Sequence, residues 1–216
     1  MTITWLGLSC FRLQMKSGNT DVVLVTDPFD PAKTGLRLPR NLGADIITTS
    51  SLDALHGHTS VVSGPSDGKP FVVNGPGEYE VKGVFVTGIS SGAATRGTLY
   101  RITAEEMRVV HLGALAAPLT PEDIDRLGDV DVLLVPVAGT GGFSAKEMAS
   151  VVSSIEPRVV IPMHYETAGL TISLPKPDAF LKELGSPKVV PEEKVRLLRK
   201  ELPEGEMRVI VLKAGG

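Results

Sequence analysis

The sequence predicts an α/β domain, with α+β character, built from two sheets covered by helices. Three observations carry this. The first half is a series of short apolar and β-branched segments punctuated by glycine, proline and asparagine, the signature of strands and turns. In the second half, strands alternate with segments that carry their own helix-start signals. No repeat, low-complexity stretch or linker separates the halves, so residues 1–216 are expected to form a single domain around one core.

Taken in order, Thr2–Leu6 and Phe11–Met15 are short strands. Ser17-Gly18-Asn19-Thr20 is a hairpin turn, because glycine and asparagine tolerate the positive φ that such turns need. Asp21–Thr26 (DVVLVT) is a near-continuous apolar run, as in a strand buried on both faces, and Asp27-Pro28-Phe29-Asp30-Pro31 stops it. Ala44–Thr48 is a further buried strand. Phe71–Val73, Tyr79–Val81, Val84–Ile89, Thr98–Thr103 and Met107–His111 continue the pattern, with a turn at Gly75–Tyr79.

A helix then starts at Thr120 and runs to about Leu127. Thr120 can cap it, Pro121 suits its first position, and Glu122 and Asp123 favour the positive end of its dipole. Val130–Val137 is a buried strand. Ser144–Ile155 is a helix whose Ser144 and Glu147 form a capping box. Val159–Pro162 is a strand ending at Met163-His164-Tyr165. Pro177–Leu184 is a short helix closed by Gly185, and Lys194–Arg199 and Met207–Leu212 are two final strands.

Composition narrows the function classes. Acidic residues outnumber basic ones, 25 to 22, giving a net charge of −3. Phosphate binding usually needs a basic stripe, so nucleic acid is not an expected partner. Val130–Val137 and similar runs are broken by aspartate and proline and fall short of the roughly 20 residues that cross a bilayer, so no membrane is expected. The N-terminus shows no basic leader. The single cysteine, Cys10, excludes an internal disulfide and fits a reducing cytoplasm. A small-molecule ligand and assembly into a homo-oligomer both remain compatible with this composition.

The residues that could carry chemistry are His56, His58, His111 and His164, with Asp27, Asp53 and Glu78. His111 and His164 each end an apolar run, in MRVVHLG and VVIPMHY, where α/β folds often place functional groups. The stretch TTSSLDALHGH, residues 48–58, follows the Ala44–Thr48 strand and holds two of the four histidines.

Several segments together resemble a known family: ITWLGLSCFRL with VVLVTDPFDP (3–31), LPRNLGADIITTS (38–50), VVNGPGEYEVKGVFVTGI (72–89), VVHLGALAAPLTPEDIDRLGDVDVLLVPVAG (109–139) and IEPRVVIPMHY (155–165). Their order and spacing are similar to those of the small metallo-β-lactamase-fold hydrolases related to ascorbate-6-phosphate lactonase. The resemblance implies a four-layer αββα sandwich with its site at one edge, between the sheets.

That family binds metal on a His-x-His-x-Asp-His loop, which falls here on Ser51, Asp53, Leu55 and His56. Ser51 and Asp53 occupy histidine positions, Leu55 occupies the aspartate position, and His56 alone matches. The bridging aspartate of the family's HLGD is Ala114. The histidine expected after the Val84–Ile89 strand is missing from Ser90–Ala94, in a loop that reads as shortened. The last ligand, His164 of PMHY, is present, and His111 matches no ligand position. A catalytic zinc has three protein ligands and an open position, and a binuclear site needs a bridging carboxylate as well.

On ligand counting, the expectation is a homologue that has lost its metal centre, without a cofactor, used as a non-catalytic binding or structural protein, with His56, His164, Asp53 and His111 left in the cleft. One alternative is a hydrolase of a small phosphorylated or lactone-like substrate, with one zinc or manganese on Asp53, His56 and His164. Another is an oligomeric scaffold subunit.

Overall fold

The computed structural model describes residues 1–65, 68–90, 97–116, 118–139 and 142–215. The chain forms β1 (Thr2–Gly7), β2 (Cys10–Ser17), β3 (Thr20–Thr26), the one-turn helix α1 (Pro31–Thr34), β4 (Ile46–Thr48), β5 (Phe71–Val73), β6 (Gly77–Val81) and β7 (Val84–Ser90). It continues through β8 (Thr98–Ala104), β9 (Met107–His111), α2 (Pro121–Leu127), β10 (Val132–Pro136), α3 (Ala145–Ile155), β11 (Val159–Met163), α4 (Asp178–Glu183), β12 (Val195–Arg196) and β13 (Arg208–Val209).

The strands make two mixed sheets, in the orders β12-β1-β2-β3-β4-β5 and β13-β11-β10-β9-β8-β7-β6. Within the first, β3, β4 and β5 run parallel. Within the second, β9, β10, β11 and β13 run parallel. The register Leu24↔Ile46 and Thr26↔Thr48 brings Asp27 beside the chain leaving β4. The register Leu134↔His111 and Pro136↔Met163 sets His111 and His164 at the ends of the two strands that flank β10. Residues just past these strand ends therefore meet at one edge of the sandwich.

Ile3, Trp5, Phe11 and Leu13 of the first sheet and Tyr100, Ile102 and Val109 of the second are all buried in the core between the sheets. The aromatic polar tips are satisfied: Trp5 Nε1 donates to the Leu8 carbonyl at 2.8 Å, and the Tyr100 hydroxyl donates to the Thr49 carbonyl at 2.9 Å. A second apolar cluster, with Leu8, Val25, Phe29, Leu36 and Ile47, covers the outer face of the first sheet.

The two helix starts form as their caps require. Thr120 and Asp123 close a capping box at α2, and Ser144 and Glu147 close one at α3. The helical layer on the second sheet is built from these helices and α4. The layer on the first sheet is thinner: it is the four-residue α1 and irregular chain. The Asp27–Pro31 stretch, expected to end a strand, also starts that helix. Asp30 accepts from the Ala32 amide, and Pro31 sits at the first helical position, where its missing N–H costs nothing. The two final strands are shorter than expected, two residues each, because each sits at a sheet edge with a single neighbour. Among the described residues, no helix is long and apolar enough to cross a membrane.

Candidate functional site

The site forms where four chain segments leave the sheets: the β1–β2 turn, the ends of β3 and β4, and the end of β11. Leu8, Asp27 and His164 all adopt left-handed backbone there, with φ of 50°, 40° and 57°. Non-glycine residues seldom take this conformation, and such strain tends to collect at functional sites. The His164 amide donates to the Leu8 carbonyl at 3.0 Å and the Asp27 amide to the Thr48 carbonyl at 2.8 Å, so the strained positions are tied to their neighbours.

At the outer part of the site, His56 and His164 lie with ring centroids 5.7 Å apart and planes within 11°. Asp53 sits three residues before His56, and its Oδ1 is 2.8 Å from His56 Nδ1. A carboxylate can only accept, so Nδ1 of His56 carries a proton, and in the neutral ring Nε2 carries the lone pair. Among the described residues that buried Nε2 has no hydrogen-bond partner. Ser51 Oγ and the Leu55 amide also donate to Asp53, at 3.0 and 2.8 Å, which fixes the carboxylate. The His56 hydrogen bond, together with these donors, holds the Asp53 carboxyl well below its ordinary range. For His56, burial opposes the charge, but the Asp53 hydrogen bond and the Asp27 and Asp53 charges outweigh it and raise its pKa. His164 goes the other way: burial, helped by the His56 charge, lowers it to about 4. Its Nδ1 is 3.3 Å from Ser9 Oγ.

Deeper in, the fully buried Asp27 accepts from the Ser50 amide and the Ser50 hydroxyl, both at 2.6 Å. Ser50 Oγ in turn accepts from the Ala114 amide at 3.1 Å. Burial raises the Asp27 pKa, against the pull of His111, His56 and Ser50. His111 Nε2 donates to the Ser9 carbonyl at 2.9 Å, and burial lowers its pKa. Its Nδ1 is buried and without a partner among the described residues, as are Thr48 Oγ1 and Thr49 Oγ1.

Thus the structure brings Asp53, His56 and His164 together, with Asp27 and His111 behind them. His58 is not part of the group: its Nε2 lies 3.3 Å from Ser60 Oγ. Glu78 is exposed on β6. Leu55 packs against the outer apolar cluster. The loop expected to be shortened, Ser90–Ala94, lies outside the described residues from residue 91 onward. Ser9 and Ser50 are partners that inspection of the sequence did not assign. Their contacts join residues 155 and 23 positions apart, and no local pattern signals them.

At positions 55 and 114 the chain carries Leu55 and Ala114, whose side chains supply no carboxylate that could bridge two ions. The arrangement of His56 does suit a metal: its Nδ1 is backed by a carboxylate, and its buried Nε2 lacks a partner, as in the carboxylate–histidine pairs that support metal sites. At about 2 Å per bond, one ion can span two rings at the separation seen for His56 and His164. Among the described residues no three histidine, cysteine or acidic side chains converge as a ligand group. Of the residues expected there, Asp53 is engaged with His56 Nδ1, Ser51 Oγ and the Leu55 amide, so it stands behind His56.

The β-lactamase superfamily domain profile matches residues 2–164. A UPF0173 protein of Pyrococcus furiosus is 43% identical over 77 residues, which span 36% of this chain and 34% of that protein, about a third of its length. A UPF0173 metal-dependent hydrolase of Methanopyrus kandleri is 27% identical over 201 residues, covering 77% of this chain and 85% of that protein. A solved Thermotoga maritima structure of the metallo-β-lactamase superfamily is 35% identical, covers 99% of both chains and superposes with a TM-score of 0.78. The αββα sandwich is therefore the fold of this chain. The expectation of a metal-free, non-catalytic protein is corrected by the same comparisons, because the Methanopyrus kandleri relative, aligned over 77% of the chain, is named a metal-dependent hydrolase and the Thermotoga maritima structure a putative Zn-dependent hydrolase. Counting lost ligands position by position overlooked the carboxylate-backed His56, which keeps a free lone pair.

Proposed function

Because the chain belongs to the β-lactamase superfamily, we propose that it is a hydrolase of a small ester-like substrate, phosphorylated or lactone-like, working with a single divalent metal at the sheet edge. The observation that carries this reading is His56: a buried imidazole with Nδ1 on a carboxylate and Nε2 unpartnered, 5.7 Å from the ring of His164. His56 and His164 are the residues that would hold the ion, zinc or manganese. When bound, such an ion polarises a carbonyl or phosphoryl oxygen and makes water a stronger nucleophile.

The chain's own residues supply the rest. Asp53 fixes the tautomer of His56 and increases its basicity. His164, with its pKa lowered to about 4, is neutral at pH 7 and keeps a lone pair to donate. Asp27, through Ser50, anchors the chain that leaves β4 and the Ala114 amide beside it. The exposed Leu52, on the same loop as Asp53 and His56, offers an apolar contact at the rim. Two protein donors hold an ion less firmly than the three of an ordinary catalytic zinc, so activity should depend on added metal.

The test is turnover of a panel of lactones and phosphoesters by purified protein with and without zinc or manganese. The expected result is hydrolysis that needs metal and is lost in His56→Ala. Absence of metal-dependent turnover across the panel, in protein shown to bind the ion, would count against the reading.

A further inference from the structure

Two histidines at this site differ in what stands behind them. His56 is backed by Asp53, a neighbour in sequence. Behind His164 stands Ser9, whose buried hydroxyl lies 3.3 Å from Nδ1. Ser9 is fully buried, and its hydroxyl is turned to the His164 ring.

We propose that Ser9 is the positioning residue of His164: its hydroxyl accepts the Nδ1 proton and so reserves Nε2 of His164 for the metal. The inference rests on the metal-dependent reading above. Three further contacts hold Ser9 in place for this task. Its carbonyl accepts from His111 Nε2 and from Thr26 Oγ1, both at 2.9 Å. The preceding carbonyl, of Leu8, accepts from the His164 amide at 3.0 Å. The β1–β2 turn is therefore joined to His164 by one backbone bond, which holds the main chain, and one side-chain bond, which holds the ring. Leu8 and His164 both pay backbone strain, with φ of 50° and 57°, to make this junction. His111, which matches no ligand position, acquires a role here as an anchor for Ser9.

The hydroxyl suits the task because it can accept while its own proton turns elsewhere. It brings no charge into a site where Asp27 and Asp53 already supply two carboxylates. Outer partners of metal-bound histidines typically govern about 10–100-fold in metal affinity.

The experiment measures zinc affinity by chelator competition for the full chain, Ser9→Ala and Ser9→Gly, with NMR of the His164 ring nitrogens in the zinc-loaded proteins. The glycine variant also removes the hydroxyl acceptor and adds no metal ligand, so it stands in if Ser9→Ala fails to fold. Expected are a 10–100-fold weaker zinc affinity in the variants and a His164 Nδ1 proton that exchanges slowly in the wild type and rapidly in the variants. Equal affinity in wild type and variants, with unchanged exchange, overturns the role of Ser9 and leaves the metal reading standing. A wild-type chain that binds no zinc overturns both.

Discussion

Replacing His164 with glutamine should flatten the acid side of the stability profile of the metal-free protein. His164 is 6% exposed, and burial and the His56 charge lower its pKa from 6.5 to about 4. The unfolded chain therefore takes up this proton first as pH falls. The resulting stability is fully present above about 6.5 and is lost progressively as pH drops toward 4. A drop from 6.5 to about 4 corresponds to about 3 kcal/mol in full, of which about 2 kcal/mol disappears between pH 7 and pH 4.5. His56 acts with the opposite sign: its raised pKa contributes stability at low pH that is lost as pH rises. His56 is present in both proteins, so its contribution cancels to first order in the comparison. The assay is urea unfolding of chelator-treated wild type and His164→Gln at pH 7 and pH 4.5. The wild type should lose about 2 kcal/mol more than the variant over that interval. An equal loss, or a larger loss in the variant, would refute the burial argument for His164.

Asp27→Ala removes the acceptor of two 2.6 Å hydrogen bonds and leaves the Ser50 amide and hydroxyl without it in a buried place, so urea unfolding should show a loss of at least about 2 kcal/mol. Gly113→Ala should be destabilising by a similar order, about 2 kcal/mol, because its Cβ would lie 2.2 Å from Ser50 Cβ at a φ of +51°; a melting temperature unchanged by this substitution would contradict the close approach. Asp53→Asn keeps the shape of the loop but removes the charge behind His56. Isothermal titration should find zinc affinity about 10–100-fold lower, and NMR titration should find the His56 pKa reduced.

Features set by neighbours in sequence were legible before folding. Ser144 with Glu147, and Pro121 after Thr120, announce α3 and α2 because capping is completed within four residues. The apolar runs around Val132–Pro136 and Val159–Met163 announce buried strands because both faces are covered. Where two signals overlap, the reading stalls. The prolines at positions 28 and 31 mark the end of β3, yet Asp30 and Pro31 also begin a helix. At the site, His56 and His164 are visible from their places after β4 and at the end of β11. Their outer partners are less so. Asp53 lies three residues from His56, but a loop sets no direction for either side chain. Ser9 meets His164 across 155 residues, a contact that depends on how the sheets are stacked. Ligand counting also weighs each position alone. Leu55 and Ala114 supply no carboxylate, but they say nothing about His56, whose Nδ1 faces Asp53 and whose buried Nε2 has no partner among the described residues.

A crystal structure of the zinc-loaded chain, with anomalous diffraction measured across the zinc edge, tests the metal site most directly. The expected result is one anomalous peak per chain, about 2 Å from Nε2 of both His56 and His164, with Asp53 still on His56 Nδ1. No peak at this edge of the sandwich, or a second peak beside Leu55 and Ala114, would contradict a single-metal hydrolase.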